Sequence, residues 1–342
     1  MKSGKVKVGL IGCGVMGRSL ASELVKVDGA LLFGVCDVSR ESAERLGNEF
    51  GVPSYTDPIG FAAHEELDAV VIATPPFTHR DLTIAAAEAG KHVFCEKPMA
   101  PSVTDCLEMI RACERSGVKL MIGQVCRYHL LHRAVKDEIE SGELGKLISV
   151  FVYRVGGPFS GVWDVPWRRS RAQSGGALME INTHELDFMR WVGGEVECVF
   201  ACGGNYICKN WDYPDCAFVS LRYRSGAVGV LHSSQVSAIG GYGCRVDCEG
   251  GSILLPSFWG EGAEMMIRRW DGDERRVRVE ELSKRSLGSP VWQELKEFID
   301  AIQEGREPEI TGYDGMAAVE IAEAAYISIE RGEPVKLPLV GR

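Results

Sequence analysis

A glycine-rich segment close to the N-terminus constrains the fold of this chain more than any other feature. The apolar run from Val6 to Ile11 is typical of a buried strand, and it leads directly into Gly-Cys-Gly-Val-Met-Gly. In a G-x-G-x-x-G turn, the first glycine permits a tight turn, the second lets the backbone approach a pyrophosphate, and the third allows close helix–strand packing. The following helix offers free N–H groups and a positive dipole end to an anion. The motif predicts a dinucleotide site formed by Gly12, Cys13, Gly14, Val15, Met16 and Gly17.

A second apolar strand ends in an acidic residue at the spacing that such sites use. Asp37 follows the apolar run 31–36 and lies 20 residues after Gly17. A carboxylate in that position accepts hydrogen bonds from the adenosine ribose, and its charge disfavours a 2′-phosphate. We therefore expect NAD in preference to NADP, although Arg40 is close enough in sequence to accommodate a phosphate. Asp37 could instead cap the helix predicted over 39–50.

Strands and helices continue to alternate through the first third of the chain. This order predicts a doubly wound parallel sheet, and hence an α/β Rossmann domain over residues 1–125. Ligands of such sheets bind beyond the carboxyl ends of the strands. The segments that fall at those ends, and that we expect to line one crevice, are the glycine turn, Asp37, Thr74–Pro76, Glu96–Pro98 and Gln124–Tyr128.

Composition excludes several classes of partner. The 342 residues carry a net charge of −10, which argues against nucleic acid, since phosphate binding needs clustered Lys and Arg. No run approaches the roughly 18 apolar residues of a membrane helix, and no signal peptide is recognisable. We therefore expect a cytoplasmic location, in which the 12 cysteines would be reduced thiols. They include no C-x-x-C pair, so we expect no metal site.

Two further segments give the chain a specific resemblance. Ala-Thr-Pro-Pro-Phe-Thr-His at 73–79 and Ala-Gly-Lys-His-Val-Phe-Cys-Glu-Lys-Pro at 89–98 resemble the Gfo/Idh/MocA family of sugar and inositol oxidoreductases. The resemblance implies that Lys97 contacts substrate and cofactor, and that the peptide bond before Pro98 is often cis. Besides the glycine turn, Asp37 and Arg40, the cofactor residues we expect are Thr74, Pro75, Pro76, His79, Glu96 and Lys97.

The hydrophobic pattern of the sequence changes after residue 146. Alternating apolar and polar residues predict strands over 148–155, 196–203, 217–223, 227–235, 244–248, 252–255, 264–270 and 275–279. Residues 126–342 should therefore form a second, α+β domain with a large, mostly antiparallel open sheet. The resemblance implies that this sheet joins subunits into a homodimer or homotetramer. It also implies that the helices of about 290–332 pack back onto the first domain.

The segment between the first two of those strands carries the remaining candidates. Residues 156–174 read as a long loop rich in tryptophan and arginine, and long loops are more often functional than not. Two glycines follow, then Glu180, His184 and Asp187, which match the family pattern except that aspartate is usual at position 180. If a helix already includes Glu180, these three side chains share one face. If the helix begins at a capping box formed by Asn182 and Glu185, Glu180 lies on the approach to it.

The resemblance implies an enzyme that oxidises a secondary ring hydroxyl of a sugar, inositol or derivative, passing hydride to NAD. Its catalytic residues would be His184, which acts as the base, and Lys97, which polarises the hydroxyl. Glu180 would adjust the properties of His184 or of Lys97. Candidates for holding the small-molecule substrate are Lys97, Arg127, Tyr128, Trp163, Arg168, Glu180 and His184. Because arginines bind anions, a sugar that carries a phosphate or a nucleotide is also a candidate substrate. Alternatives are a glycoside-processing enzyme that oxidises and then eliminates, and a non-catalytic NAD-binding sugar sensor.

Overall fold

A computed structural model describes residues 4–260, 262–284 and 287–341. By its own contacts the chain divides into two compact units, the first formed by residues 1–125 and 287–316 and the second by 126–286 and 317–342. No helix in these described ranges is both long and apolar enough to cross a bilayer.

The strands, in chain order, are β1 Val6–Ile11, β2 Ala30–Cys36, β3 Ser54–Tyr55, β4 Ala69–Ile72, β5 His92–Glu96, β6 Leu120–Gly123, β7 Leu147–Val155, β8 Val196–Gly204, β9 Cys216–Tyr223, β10 Val228–Ser234, β11 Gly241–Cys248, β12 Gly251–Leu255, β13 Glu264–Arg269, β14 Glu274–Arg278 and β15 Val335–Lys336. The α-helices are α1 Val15–Leu24, α2 Arg40–Phe50, α3 Pro58–Ala62, α4 His79–Glu88, α5 Val103–Ser116, α6 Leu130–Glu140, α7 Arg171–Ser174, α8 Ala177–Glu180, α9 Thr183–Gly193, α10 Val279–Ser283, α11 Pro290–Glu304 and α12 Gly312–Arg331.

The first unit contains the parallel sheet that the sequence predicts. Its strand order is β3-β2-β1-β4-β5-β6, and every pairing is parallel. Val8, Leu10 and Ile11 of β1 are fully buried, as expected for a strand whose two faces are both covered. The order reverses at β1, which lies between β2 and β4, so the crevice for a ligand opens beyond the end of β1.

The second unit contains a mixed sheet in the order β14-β13-β12-β11-β7-β10-β9-β8-β15. Its pairings are antiparallel except for β10 with β7, which confirms the predicted mostly antiparallel character. Along β9, Ala217, Val219 and Leu221 are buried while the residues between them are exposed. One face of the sheet is therefore covered by its own unit and the other is open.

The segment 156–174 departs from the prediction of a loop without elements. It contains short 3-10 helices at Gly161–Trp163 and Pro166–Arg169, followed by α7. Single turns of this kind carry too few residues to show a helical period, so the hydrophobic pattern could not reveal them.

Helix α11 buries an acid in the first unit. Glu294 is fully buried, and neither of its carboxyl oxygens has a hydrogen-bond partner among the described residues. Burial, assisted by the negative charge of Glu96, raises the pKa of Glu294 well above its ordinary value. A buried acid with this environment takes up a proton on folding, so it makes the fold less stable as the pH rises.

We expect Glu294→Gln to stabilise the protein at neutral pH, by about 1–3 kcal/mol, because the amide is neutral at every pH whereas the buried carboxyl must take up a proton or remain buried as a charge. Since the folded-state pKa lies above the unfolded value of 4.5, the gain should grow as the pH rises from that value. Denaturant unfolding across a pH series measures it.

Glu297, on the same helix, serves as a control because its pKa is shifted in the opposite direction from that of Glu294. Burial alone would raise its pKa, but two hydrogen bonds from Arg306, at 2.6 and 2.7 Å, a hydrogen bond from the backbone N–H of Glu309 and the charge of Arg306 together lower it. Glu297→Gln should therefore lose stability at neutral pH, and the loss should shrink as the pH falls. Equal pH profiles for the two variants would contradict this account of Glu294.

Candidate functional site

The glycine turn at the end of β1 has the geometry that its three glycines require. Gly12 has φ +99°, and a Cβ there would lie 2.5 Å from the carbonyl oxygen of Ala73. A Cβ on Gly17 would lie 1.8 Å from the carbonyl oxygen of Gly12, so α1 can approach β1 this closely only with glycine. A Cβ on Gly14 would meet nothing within 4 Å, which leaves the open space that a pyrophosphate needs.

Asp37 is held against this turn. Its carboxylate accepts hydrogen bonds from the backbone N–H groups of Cys13 and Ser39, both at 2.8 Å. The Cys13 thiol is buried, and burial together with the charge of Asp37 raises its pKa to about 12. The turn therefore combines a fixed carboxylate, a neutral thiol and a free helix end, which fits the ribose and pyrophosphate of a dinucleotide. Arg40 lies on the exposed start of α2 and faces Glu44 of its own helix at 3.8 Å.

The segment after β4 is organised by hydrogen bonds within itself. The hydroxyls of Thr74 and Thr78 are 2.7 Å apart, and Thr78 donates to the carbonyl oxygen of Pro75 at 2.9 Å. Pro76 is buried and begins a 3-10 turn that leads into α4. These contacts fix the backbone at one of the strand ends that the sequence assigned to the crevice.

His79 joins this segment to the Lys97 turn. Its Nε2 lies 2.8 Å from the carbonyl oxygen of Thr74, and its Nδ1 lies 3.1 and 3.3 Å from those of Pro98 and Met99. The ring is fully buried, so it presents no accessible surface to a cofactor in this structure. Burial lowers the pKa of His79 despite these carbonyl partners, and the neutral ring donates from only one nitrogen.

The Lys97 turn follows β5. Glu96 is buried, and its carboxylate accepts a hydrogen bond from the backbone N–H of Lys97 at 3.1 Å. The peptide bond between Lys97 and Pro98 is cis, in agreement with the expectation from the family resemblance. Lys97 is half-buried.

In the second unit, the structure shows where the helix that contains His184 begins. Helix α9 starts at Thr183, and Glu180 ends the separate short helix α8. Glu180 therefore lies on the approach, as one of the two alternatives required. The capping box itself is absent, because the Asn182 side chain caps no backbone N–H and instead donates to the Glu185 carboxylate at 2.8 Å.

Each of the three acids between residues 180 and 187 is paired with an arginine. Arg168 lies 2.7 Å from Glu180, Arg154 lies 3.0 Å from Glu185, and Arg127 makes two bonds of 2.6 and 2.8 Å to Asp187. All three acids are buried, and His184 is 9% exposed. Each of these buried acids therefore has a cationic partner.

Arg168 is also surrounded by aromatic rings. Its guanidinium carbon lies 5.0 Å from the ring centre of Phe159, 4.8 Å from that of Trp163 and 5.0 Å from that of Trp167. The structure thus brings together three predicted residues, Trp163, Arg168 and Glu180. Arg168 contacts both of the others, so these residues do not stand apart as separate contacts for a substrate.

Two other predicted substrate residues, Arg127 and Tyr128, are buried at 4% and 6% exposure. Arg127 is held by Asp187, which gives it a role in anchoring α9. A chain of contacts with no functional signal in the sequence links the half-buried Arg154 to the buried Glu185, Asn182 and Ser233. It ends in a 2.6 Å hydrogen bond that Ser233 donates to Asn182. These four come from three segments far apart in sequence, and no local pattern connects them.

Among the described residues, no group of three His, Cys, Asp or Glu side chains could hold a metal ion. His129, a histidine in the same unit, packs edge-on against Trp259 with ring centres 4.4 Å apart, and burial lowers its pKa to about 4.

We expect His79→Leu to destabilise the first unit and weaken dinucleotide binding, because the buried carbonyl oxygens that receive the single N–H of the neutral ring, on one side or the other, lose their donor. Each unsatisfied buried group costs about 1–3 kcal/mol. Urea unfolding and fluorescence titration with NADH measure the two effects. His64→Leu, at a half-buried histidine of the same unit, is the control, and equal behaviour of the two variants would contradict the role of His79.

Comparison with known proteins gives these features a context. Residues 6–124 match the oxidoreductase family with an NAD-binding Rossmann fold, and residues 136–337 match the C-terminal alpha/beta domain of the same family. Myo-inositol 2-dehydrogenase of Thermotoga maritima is 31% identical, over 97% of this chain and 98% of that protein. The 2,7-anhydro-N-acetylneuraminate hydratase of Escherichia coli is 30% identical, over 97% of each chain.

Among solved structures, the WlbA dehydrogenase from Bordetella pertussis in complex with NADH and UDP-GlcNAcA has a TM-score of 0.89 and 26% identity. The match covers 99% of this chain and 100% of that one. The two family matches together span most of the chain, in agreement with the glycine turn, Asp37 and the Glu-Lys-Pro turn. This chain belongs to the Gfo/Idh/MocA family of oxidoreductases, and its cofactor is NAD.

Proposed function

We propose that this protein is an NAD-dependent dehydrogenase that oxidises a secondary ring hydroxyl of a sugar, an inositol or a derivative. The observation that carries the proposal is full-length similarity to myo-inositol 2-dehydrogenase, combined with a Lys97 turn and a His184 segment in the places the family pattern requires. When bound, NAD supplies the hydride acceptor, the C4 carbon of its nicotinamide.

The first unit would hold the cofactor through the glycine turn, with Asp37 accepting hydrogen bonds from the adenosine ribose. The exposed Gly14 leaves room for the pyrophosphate, and the N–H groups at the start of α1 stabilise its charge. Because Asp37 is already fixed by two backbone N–H groups, a 2′-phosphate would meet a carboxylate that cannot easily turn away. This favours NAD over NADP.

Removal of hydride from a carbinol carbon also requires the hydroxyl proton to leave. We assign His184 as the base whose ring nitrogen takes that proton, and Lys97 as the cation that stabilises the developing negative charge on the oxygen. The arginine partners of Glu180, Glu185 and Asp187 balance the charges of the three acids in the segment that carries His184. Glu180 and Arg168 would orient the substrate.

We expect wild-type protein to reduce NAD in the presence of a ring polyol or sugar, and to use NADP poorly. Lys97→Ala and His184→Ala should each lower kcat by about 100-fold to 10,000-fold, the usual contribution of a positioned acid or base. Nicotinamide absorbance across a panel of inositols and sugars measures turnover. Lys26→Ala and His64→Ala are matched controls, and full activity of Lys97→Ala would contradict the mechanism.

A second candidate function follows from the relative named as a hydratase. Oxidation of a ring hydroxyl by NAD gives a ketone that acidifies the neighbouring C–H, so that proton and an attached group can leave by elimination. Water would then add to the double bond, and NADH would return its hydride to the ketone, which regenerates NAD. Release of an aglycone from a glycoside without net NADH formation would favour this function. Net NADH formation with free inositol or glucose would favour the dehydrogenase.

We also propose that the open sheet face of the second unit joins copies of this chain into a homodimer or homotetramer. Phe151, Phe200 and Phe218 project from three strands of that face and are 39%, 41% and 44% exposed. Phe218 also stacks on His232, with ring centres 4.2 Å apart. Large apolar patches of this kind are typical of protein interfaces.

If copies associate through this face, Phe218→Asp should shift the protein to a smaller species, because it places a charge in an apolar contact. Light scattering coupled to size-exclusion chromatography measures the mass. Val38→Asp, at a residue of the first unit that is 80% exposed, is the control. A wild-type monomer, or an unchanged mass for Phe218→Asp, would contradict the proposal.

A further inference from the structure

We propose that the second unit selects an uncharged sugar or polyol and discriminates against carboxylated and phosphorylated sugars. The proposal rests on the function proposed above and names its substrate class. The sequence alone leaves an anionic substrate open, because the 126–174 region is rich in arginine.

Five of those arginines already have a carboxylate partner in the structure, which leaves them less able to bind an anionic substrate. Arginine recognises an anion well when its planar donors and its charge are available to that anion. A guanidinium that already forms an ion pair contributes much less. The pairs are Arg127 with Asp187, Arg154 with Glu185, Arg168 with Glu180, Arg169 with Asp164, and Arg171 with Glu330.

Burial makes the pairs near His184 hard to exchange. The side chains of Arg168 and Glu180 are 12% and 5% exposed, and those of Arg127 and Asp187 are 5% and 1% exposed. A substrate carboxylate could take Arg168 only by leaving Glu180 buried and uncompensated, which is costly. An anionic group would also be repelled by Glu180 itself.

The pair of Arg168 and Glu180 suits a neutral diol instead. The guanidinium N–H groups donate, the carboxylate oxygens accept, and two neighbouring hydroxyls of a ring can do both. A carboxylate or phosphate can only accept. The rings of Phe159, Trp163 and Trp167 around Arg168 add apolar surface, against which the C–H groups of a polyol ring can pack.

The first test compares neutral and anionic ligands of similar shape on the NADH-loaded wild type. Calorimetry with myo-inositol, D-glucose, D-glucuronate and glucose 6-phosphate gives dissociation constants, and turnover with NAD gives kcat/KM. We expect at least one neutral ligand to bind about tenfold or more tightly than either anion. Tighter binding and faster turnover of an anionic sugar would overturn this proposal and leave the dehydrogenase function intact.

The second test changes the charge of the pair. Glu180→Gln keeps the shape of the side chain but frees the charge of Arg168, so the ratio of glucuronate affinity to glucose affinity should rise by about tenfold. Asp164→Asn makes the same change at the more exposed pair with Arg169 and should leave the ratio within about twofold. An unchanged ratio in Glu180→Gln would overturn the proposal.

The double variant Arg168→Gln/Glu180→Gln keeps the test decisive if the single variant unfolds, because it removes both charges. Its ratio should return to the wild-type value, whatever its absolute activity. A double variant that prefers glucuronate would also overturn the proposal. If the wild type neither binds nor turns over any sugar, charged or neutral, the proposed function itself fails.

Discussion

The close approach of α1 to β1 is the constraint on which the first unit depends. A Cβ on Gly17 would come within 1.8 Å of the Gly12 carbonyl oxygen, so no other residue allows the helix to start where it does. That start directs the N–H groups of the helix toward the open space beside Gly14. The same turn offers the Cys13 N–H to Asp37, so the packing of one helix also orients the carboxylate that would receive the ribose.

A different interaction organises the second unit. The segment from Glu180 to Asp187 is buried although it carries three acids, and this is possible only because three arginines reach them. Burying a charge without a partner would cost far more than the fold can supply. The arginines come from the start of the unit, from β7 and from the loop after it. The ion pairs thus fix the backbone around His184 and balance its local charge at once.

Much of the fold could be predicted from the sequence because its signals are local. Buried parallel strands, turn glycines and alternating antiparallel strands each carry a pattern that a short window reveals. The observed strands lie within a few residues of those predicted, except the two-residue strands β3 and β15, which were not predicted because they are too short to show a pattern. The pattern failed for the short helical turns of 156–174, which are too brief to show a period. Ion-pair partners could not be predicted from a short window either, since Arg127 and Asp187 are 60 residues apart in the sequence.

The sequence by itself determined the cofactor class, the family and the candidate residues Lys97, Glu180 and His184, because these lie in contiguous motifs. Only the tertiary structure decided what surrounds them. It buried His79 between two turns, where its ring contacts carbonyls, and it placed Arg168 against Glu180 rather than leaving it for an anion. The physical reason is that motifs are encoded by spacing along the chain, whereas burial and charge pairing depend on which distant segments meet.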